Sequence, residues 1–369
     1  MNYTDLVRNP YKTKPETNRA SRQKTSNTPS GVLRMNYNEN HYGMSKKAQE
    51  VIKEYATKGN LYPDFFAIDF KKAVGKKYDV DWGCIAPAAG ASPLIDMLGE
   101  VFLNEGDEFI FGDPTFEAFR DVANDFGAVT VPVPLDKDMK FDLDAMLNAI
   151  TDKTKMIIIV NPNNPTGTFV ESAKVEEFIR KVPENIVVVV DEAYLEYCTA
   201  PGTYSMIKMI REGYEKPLVV LKTFSKIYAM AGVRCGFACM PEGLVAQFSK
   251  SAHEWNVSSI AQYAAIAAIS DQEHIDYVIK TNEKERNYVE AELSKLGCKV
   301  WHSETNFILF DTKIAPQILK KKLEDRKVLI TTPAGYNRVS VGTRQMNDTF
   351  LSCMEEILSE EASEIEKAM

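Results

Sequence analysis

The chain has 369 residues, of which 44% are hydrophobic and 26% charged, with a formal net charge of -8; the length suits roughly two to three domains of ordinary size. Such a composition excludes disordered, collagen-like and coiled-coil architectures, and the net acidity is a poor match for a polyanionic partner such as DNA. No apolar run approaches the ~18 residues of a membrane span.

Residues 1–34 carry seven Lys/Arg against two Asp/Glu, a charge of +5 that leaves -13 for the remainder. This stretch is read as a basic N-terminal arm without the apolar core of a secretory signal. It holds Pro10, Pro15 and Pro29 and little apolar periodicity, so it encodes no DNA-binding pair of helices. The first fifty or so residues cannot be placed by pattern. From about Cys84 strands and helices alternate, with no repeat of 20 to 50 residues. The runs Met156–Val160, Ile186–Val190 and Leu218–Leu221 are almost wholly apolar, as strands buried on both faces must be. Amphipathic segments such as Asp142–Ile150 and Glu171–Lys181 separate them. The expected fold is α/β, a mostly parallel sheet flanked by helices. Each run ends in polar turns (Gly112-Asp113-Pro114, Asn161 to Gly167, Asp191-Glu192-Ala193, Thr223 to Lys226). Open α/β sheets bind ligands just beyond the carboxyl ends of their strands.

After about Asp271 the rhythm changes. A long helix over Asp271–Leu296 leads into strands at Lys299–Trp301 and Asn306–Asp311. Then come a helix (Ala315–Asp325), strands at Val328–Thr331 and Arg338–Val341, and a terminal helix (Asn347–Leu358). The expected division is a large domain over 35–270, whose first part also serves the small domain and subunit contacts, and a connector helix with a small α+β domain over 271–369. Six cysteines are too few for a disulfide scaffold. Cys235 and Cys239 are not spaced like a zinc half-site, and none of the four histidines stands at i, i+4 of another, so no metal site is expected. The chain is read as a reduced, cytoplasmic protein.

Four segments carry chemistry. Lys226 follows a buried strand in Lys222-Thr223-Phe224-Ser225-Lys226. Desolvation lowers an amine's pKa and suits it to form a Schiff base. Thr223, Ser225 and Arg234 together suit a phosphate dianion. Asp191 ends the apolar run Val187 to Val190, where a buried carboxylate is costly unless it meets a cation; a protonated pyridine nitrogen is such a partner. Asn161 to Gly167 carries two prolines and a glycine that fix the backbone. Ala88-Ala89-Gly90-Ala91-Ser92 opens a helix with small residues that let backbone N–H groups approach an anion. It lacks the Lys-Ser/Thr of a P-loop and the glycine spacing of a dinucleotide fingerprint.

In this order the segments resemble those of the fold-type I enzymes dependent on pyridoxal 5'-phosphate (PLP), and most of all the histidinol-phosphate aminotransferase branch of the class I/II aminotransferases. The likeness runs from about Arg34 to Leu358. It includes Asn38-Glu39-Asn40 with Tyr42-Gly43, Tyr62-Pro63-Asp64, Pro114-Thr115-Phe116, Asn256-Val257, Asn306-Phe307 and Arg338 to Arg344. The resemblance implies that Lys226 holds PLP covalently and shuttles a proton, that Asp191 pairs with the ring nitrogen, and that Tyr194 and Asn164 bond the ring oxygen. Phe116 would stack on the ring, and Gly90, Ala91, Ser92, Thr223, Ser225 and Arg234 would surround the phosphate. Tyr62 would reach that phosphate from a neighbouring subunit in a homodimer with shared active sites. Arg338 would clamp a substrate carboxylate, with Asn40 and His41 also at the substrate.

The departures bear on substrate. Histidinol-phosphate enzymes usually present a second arginine just before the strand carrying the first, and here Thr331 stands there. Asn40 replaces a common tyrosine, His41 a common proline, and Ser92-Pro93 a common acidic pair. Losing two phosphate ligands weakens such binding by several kcal/mol, at ~1.5–3 kcal/mol for each charge-assisted hydrogen bond. The expected activity moves an amino group between a small-molecule donor, histidinol phosphate or an L-amino acid, and a 2-oxo acid. The rival is a lyase of the same family, a decarboxylase of the threonine-phosphate type or an elimination or cyclodehydration enzyme, which the unusual His41 and Glu254-Trp255 would allow.

Overall fold

The computed structural model describes residues 31–368, so the basic arm lies outside the described residues except for its last four. The chain enters on a two-residue strand, β1 (Leu33–Arg34), and seven further strands build the main sheet: β2 (Ile85–Ala88), β3 (Glu108–Asp113), β4 (Val129–Pro134), β5 (Thr154–Val160), β6 (Val187–Asp191), β7 (Leu218–Thr223) and β8 (Gly236–Cys239). Their order is β2-β8-β7-β6-β5-β3-β4. All neighbours run parallel except β8, which is antiparallel to both β2 and β7. Ile157, Ile158, Ile159, Val189, Val219 and Val220 are sealed from solvent, as expected of strands covered on both faces. Register sets Val160 opposite Asp191 and Asp191 opposite Leu221. The polar turns after these strands therefore open at one level along the sheet edge.

A second core lies around β9 (Lys299–Val300), β10 (Phe307–Asp311), β11 (Val328–Leu329) and β12 (Asn337–Ser340). β12, β10 and β9 form an antiparallel sheet, while β1 pairs in parallel with β11. Met35, directly after β1, is buried among Phe310, Val328 and Val339, which explains why the chain's early residues carry no pattern of their own: they complete a core encoded three hundred residues later. Strand pairing at 328 stops at Leu329, short of the expected Thr331, because β1 offers only two residues to pair with. Thr331 instead makes an isolated antiparallel bridge to Arg338. The terminal helix, Arg344–Ala368, outruns the expected Asn347–Leu358 at both ends. Its polar extension has no apolar stripe to read and is tied down by Arg326–Glu360 and Lys322–Glu361 pairs.

The helix Gln272–Lys295 joins the two cores, contributing Ile275 and Val278 to the first and Val289 and Leu293 to the second. At the junction Arg286, 1% exposed, places Nη2 3.2 Å from Glu304 Oε2. The same oxygen accepts from Thr199 N at 2.9 Å, and Glu304 N donates to Gly167 O at 2.8 Å. His302 bridges Glu290 (2.9 Å) and Glu304 (3.1 Å). These carboxylates push its pKa up to about 9. Burial alone would raise the Glu304 carboxyl, but His302, Arg286 and the Thr199 amide outweigh it and hold it at about 2.

The His302 contribution is whole below about pH 6.5 and disappears as pH rises through about 9, whereas that of Glu304 is whole above about 4.5 and fades toward 2. The His302 side chain is 63% exposed, so screening leaves His302→Ala costing only ~0.5–1 kcal/mol at pH 6. That loss should vanish in urea unfolding at pH 10. Arg286→Met, which strands a buried carboxylate, should cost about 3–5 kcal/mol at pH 7.

Candidate active site

The turns after β3, β5, β6 and β7 enclose a cavity of about 920 Å³. Its wall brings together Ala91, Ser92, Phe116, Asn164, Asp191, Tyr194, Thr223, Ser225, Lys226, Arg234 and Arg338. These come from stretches up to 247 residues apart (Ala91 to Arg338). The edge of the main sheet makes them neighbours, except for Arg338, which comes from β12 of the second core.

Lys226 Nζ lies 3.3 Å from the carbonyl oxygens of both Tyr37 and Asn38, and 5.3 Å from the centroid of the Tyr194 ring. Among the described residues no carboxylate pairs with it. Asp191 is 4% exposed, and its carboxylate accepts from Ala193 N at 2.9 Å. Burial pushes its carboxyl up to about 6; the Ala193 amide, Lys222 and Lys226 pull the other way, too weakly to restore the ordinary value. Tyr194 OH accepts from Asn38 Nδ2 at 3.1 Å, and its ring meets Phe307 edge-on. Arg338 Nη1 donates to Asn164 Oδ1 at 2.5 Å and Nη2 to Asn36 O at 3.2 Å. Its Nε is buried without a partner, and burial holds its pKa below the usual guanidinium value.

At the other end of the cavity the helix Ala91–Phe102 begins, with Gly90 as its N-cap at φ 100°. Only glycine adopts this conformation readily, and a Cβ there would collide with Arg234 Nη2. Arg234, itself left-handed at φ 63°, anchors Nη1 on Ala231 O (3.0 Å) and Ser225 Oγ (3.4 Å). A helix N-terminus, two hydroxyls and a guanidinium held against a missing side chain make a cradle for a dianion. A carboxylate kept near pH 6 by burial accepts a cationic nitrogen. An amine free of any acid partner completes the set, so the residues fit PLP at each of its three ends.

Behind the sheet, Lys222 alternates away from Thr223 and is buried between Glu192 (2.9 Å) and Glu196 (2.8 Å). Burial alone would lower its pKa, but the two carboxylates outweigh it and keep the lysine charged. This pair sits beside Asp191 in sequence and register.

Asn40 and His41 stand outside the wall of this cavity, beside a neighbouring hollow that shares Ser225 and Ala231 with it. Asn40 Nδ2 donates to the carbonyls of Lys226 (3.1 Å) and Ile227 (3.0 Å), so it braces the lysine turn from behind. His41 lines a second hollow of about 430 Å³ with Arg34 and Ala229. Tyr62, 80% exposed, lies outside its own chain's cavity, its ring tilted against that of Trp255 with centroids 4.7 Å apart. Tyr37, Asn38 and Glu117 line the cavity without having been singled out; of these only Asn38, inside the Asn-Glu-Asn motif, carried a sequence signal.

The family model for aminotransferase class I and II matches residues 30–353. A histidinol-phosphate aminotransferase of Moorella thermoacetica is 33% identical over 333 residues, covering 89% of this chain and 86% of that protein. One of Caldicellulosiruptor saccharolyticus is 34% identical over 334 residues, covering 89% and 92%. The crystal structure of histidinol-phosphate aminotransferase from Sinorhizobium meliloti in complex with pyridoxal-5'-phosphate is similar in fold, with a TM-score of 0.83 at 23% identity over 89% of this chain and 91% of that one.

Because the folded protein holds the Asp191 proton more tightly than the unfolded chain does, the ionised carboxylate costs the cofactor-free protein stability above about pH 6 and nothing below about pH 4. Asp191→Asn should therefore raise the melting temperature of cofactor-free protein at pH 8, by an amount equivalent to at most about 3 kcal/mol. The advantage should shrink as the scan is repeated toward pH 4.

Proposed function

The chain belongs to the class I and II aminotransferases, and we propose that it works with PLP, moving an amino group from a small-molecule donor, histidinol phosphate or an L-amino acid, to a 2-oxo acid. PLP, when bound, supplies a carbonyl that condenses with amines and a ring that accepts the electron pair released at the substrate Cα. The observation that carries the reading is that the unpaired Lys226 amine and the buried Asp191 carboxylate open on one cavity.

Gly90, Ala91, Ser92, Thr223, Ser225 and Arg234 would bind the phosphate, and Phe116, 36% exposed on the cavity wall, would cover a ring face. Asp191 would keep the ring nitrogen protonated, regaining by that pairing what its burial costs. Tyr194 and Asn164 would bond the ring oxygen; Asn164 spends Oδ1 on Arg338, leaving its Nδ2 donor unspent. Arg338 would grip a substrate carboxylate in a bidentate pair. Lys226 Nζ would take the proton from Cα and return it to the carbon that receives the amine. The Tyr37 and Asn38 carbonyls aim the amine, and Asn40 holds its backbone.

A homodimer follows from the same reading. Leu61, Tyr62, Phe65, Phe66 and Trp255 are all more than 40% exposed, an aromatic patch that a second copy would cover while Tyr62 entered that copy's phosphate site.

Lys226→Ala should fold, bind PLP without borohydride trapping on the lysine peptide, and lose about a thousandfold or more in turnover. Near-normal turnover would overturn the assignment. Wild-type turnover should require a 2-oxo acid acceptor, and turnover without one would replace transamination by a lyase reaction.

A further inference from the structure

The strand β7 carries a buried charge that the reading above does not use. Lys222 precedes Thr223 and, by the alternation of a strand, points to the face of the sheet away from the cavity. It is 3% exposed, and its amine holds two carboxylates at once, Glu192 at 2.9 Å and Glu196 at 2.8 Å. Glu192 is fixed in turn by Ser205 Oγ and Met206 N, which donate to it at 2.5 and 2.6 Å. Glu196 accepts from Tyr78 OH at 3.2 Å. Tyr78, Tyr228 and Cys239 are the titratable groups packed against this cluster from neighbouring elements, and burial pushes all three upward, so they stay uncharged.

Buried charges of this kind add little net stability over apolar side chains of the same volume. What the cluster joins is more telling. The ladder between β6 and β7 ends at Asp191 and Leu221, with a last bond from Glu192 N to Leu221 O at 3.0 Å. Beyond it the two segments part. One turns through Tyr194 into the short helix Leu195–Tyr197, and the other runs on through Thr223 and Ser225 to Lys226. Glu192 and Glu196 stand two residues before and two residues after Tyr194, so the Lys222 amine grips the turn on both sides of the tyrosine. On the cavity side, the Lys226 amine lies 5.3 Å from the centroid of the Tyr194 ring. The tyrosine hydroxyl accepts from Asn38 Nδ2 and keeps its own proton to give.

Deepening the PLP reading and resting on it, we propose that Lys222 is a positioning residue. From behind the sheet it clamps the Tyr194 turn to the strand that leads to Lys226, and so fixes the tyrosine hydroxyl where it meets the ring oxygen of a cofactor bound to that lysine. Lys222 touches neither cofactor nor substrate. Its effect passes through Glu192 and Glu196 to Tyr194. Loosening the clamp moves the hydroxyl away while leaving the Lys226 amine able to react.

The test follows the visible band of PLP-loaded protein across pH, with the melting temperature of each cofactor-free variant measured alongside. The band changes when the linkage between Lys226 and PLP loses its proton. A hydroxyl donating to the ring oxygen draws that oxygen away from the linkage proton and lowers the pH of the change, so a displaced tyrosine raises it. Lys222→Met should raise the midpoint by about half a pH unit or more. Glu196→Ala, at the partly exposed end of the clamp, keeps the Lys222–Glu192 pair, and it decides the matter if Lys222→Met does not fold. Removing that negative charge would by itself lower the midpoint, whereas releasing the turn raises it. An upward shift in Glu196→Ala supports the clamp. A midpoint that stays or falls in Glu196→Ala, with or without a loss of melting temperature, overturns the inference and leaves the aminotransferase reading standing. If the wild-type protein forms no visible band with PLP, the PLP reading fails first and the inference goes with it.

Discussion

A carboxylate ends the valine strand β6 with almost no water around it and one backbone amide to satisfy it. Much of the surrounding architecture follows from that single unfavourable burial. The strand is held between β5 and β7, so Asp191 cannot move outward to be solvated. The neighbouring charges are arranged not to neutralise it: Lys222 is occupied by Glu192 and Glu196 on the far side of the sheet. What remains is an acid that a cationic ligand stabilises, and a fold that stores the cost until one arrives. The lysine shows the same economy. Its turn is braced by Asn40 and its amine is aimed by two carbonyls, while no acid among the described residues pairs with it.

The second core contributes Arg338 and is tied to the first by the Arg286–Glu304–Thr199 contacts and by Glu304 N to Gly167 O. Gly167 closes the turn that carries Asn164, and a Cβ on it would drive into Ser303. This asparagine of the cavity wall is therefore positioned from both sides, by its own strand and by the loop that precedes β10. Buried ion pairs add little net stability by themselves. Here the pair fixes the relative placement of parts that must meet within a few ångströms.

Those parts of the site that follow parallel strands were legible in the sequence, because an apolar run ending in polar residues has one physical solution in such a sheet. Lys226, Asp191 and Asn164 belong to this group, whereas Arg234 lies just before the antiparallel β8. Asn40 and His41 were less legible, because residue types alone do not say which of two adjoining hollows a side chain lines. The Glu304 network joins residues spread from 167 to 304, and β1 pairs with a strand that comes almost three hundred residues later. Periodicity within a window carries no trace of either.

The Arg338–Asn164 hydrogen bond spans the two cores: the arginine sits on β12 of one, the asparagine in a turn of the other. The cavity wall is thus shared between the cores, so a molecule that touches both Arg338 and Lys226 would add a further link to those made by Arg286 and Glu304. The protein can spend binding energy gathered at one end of a molecule on aligning the bond that reacts at the other.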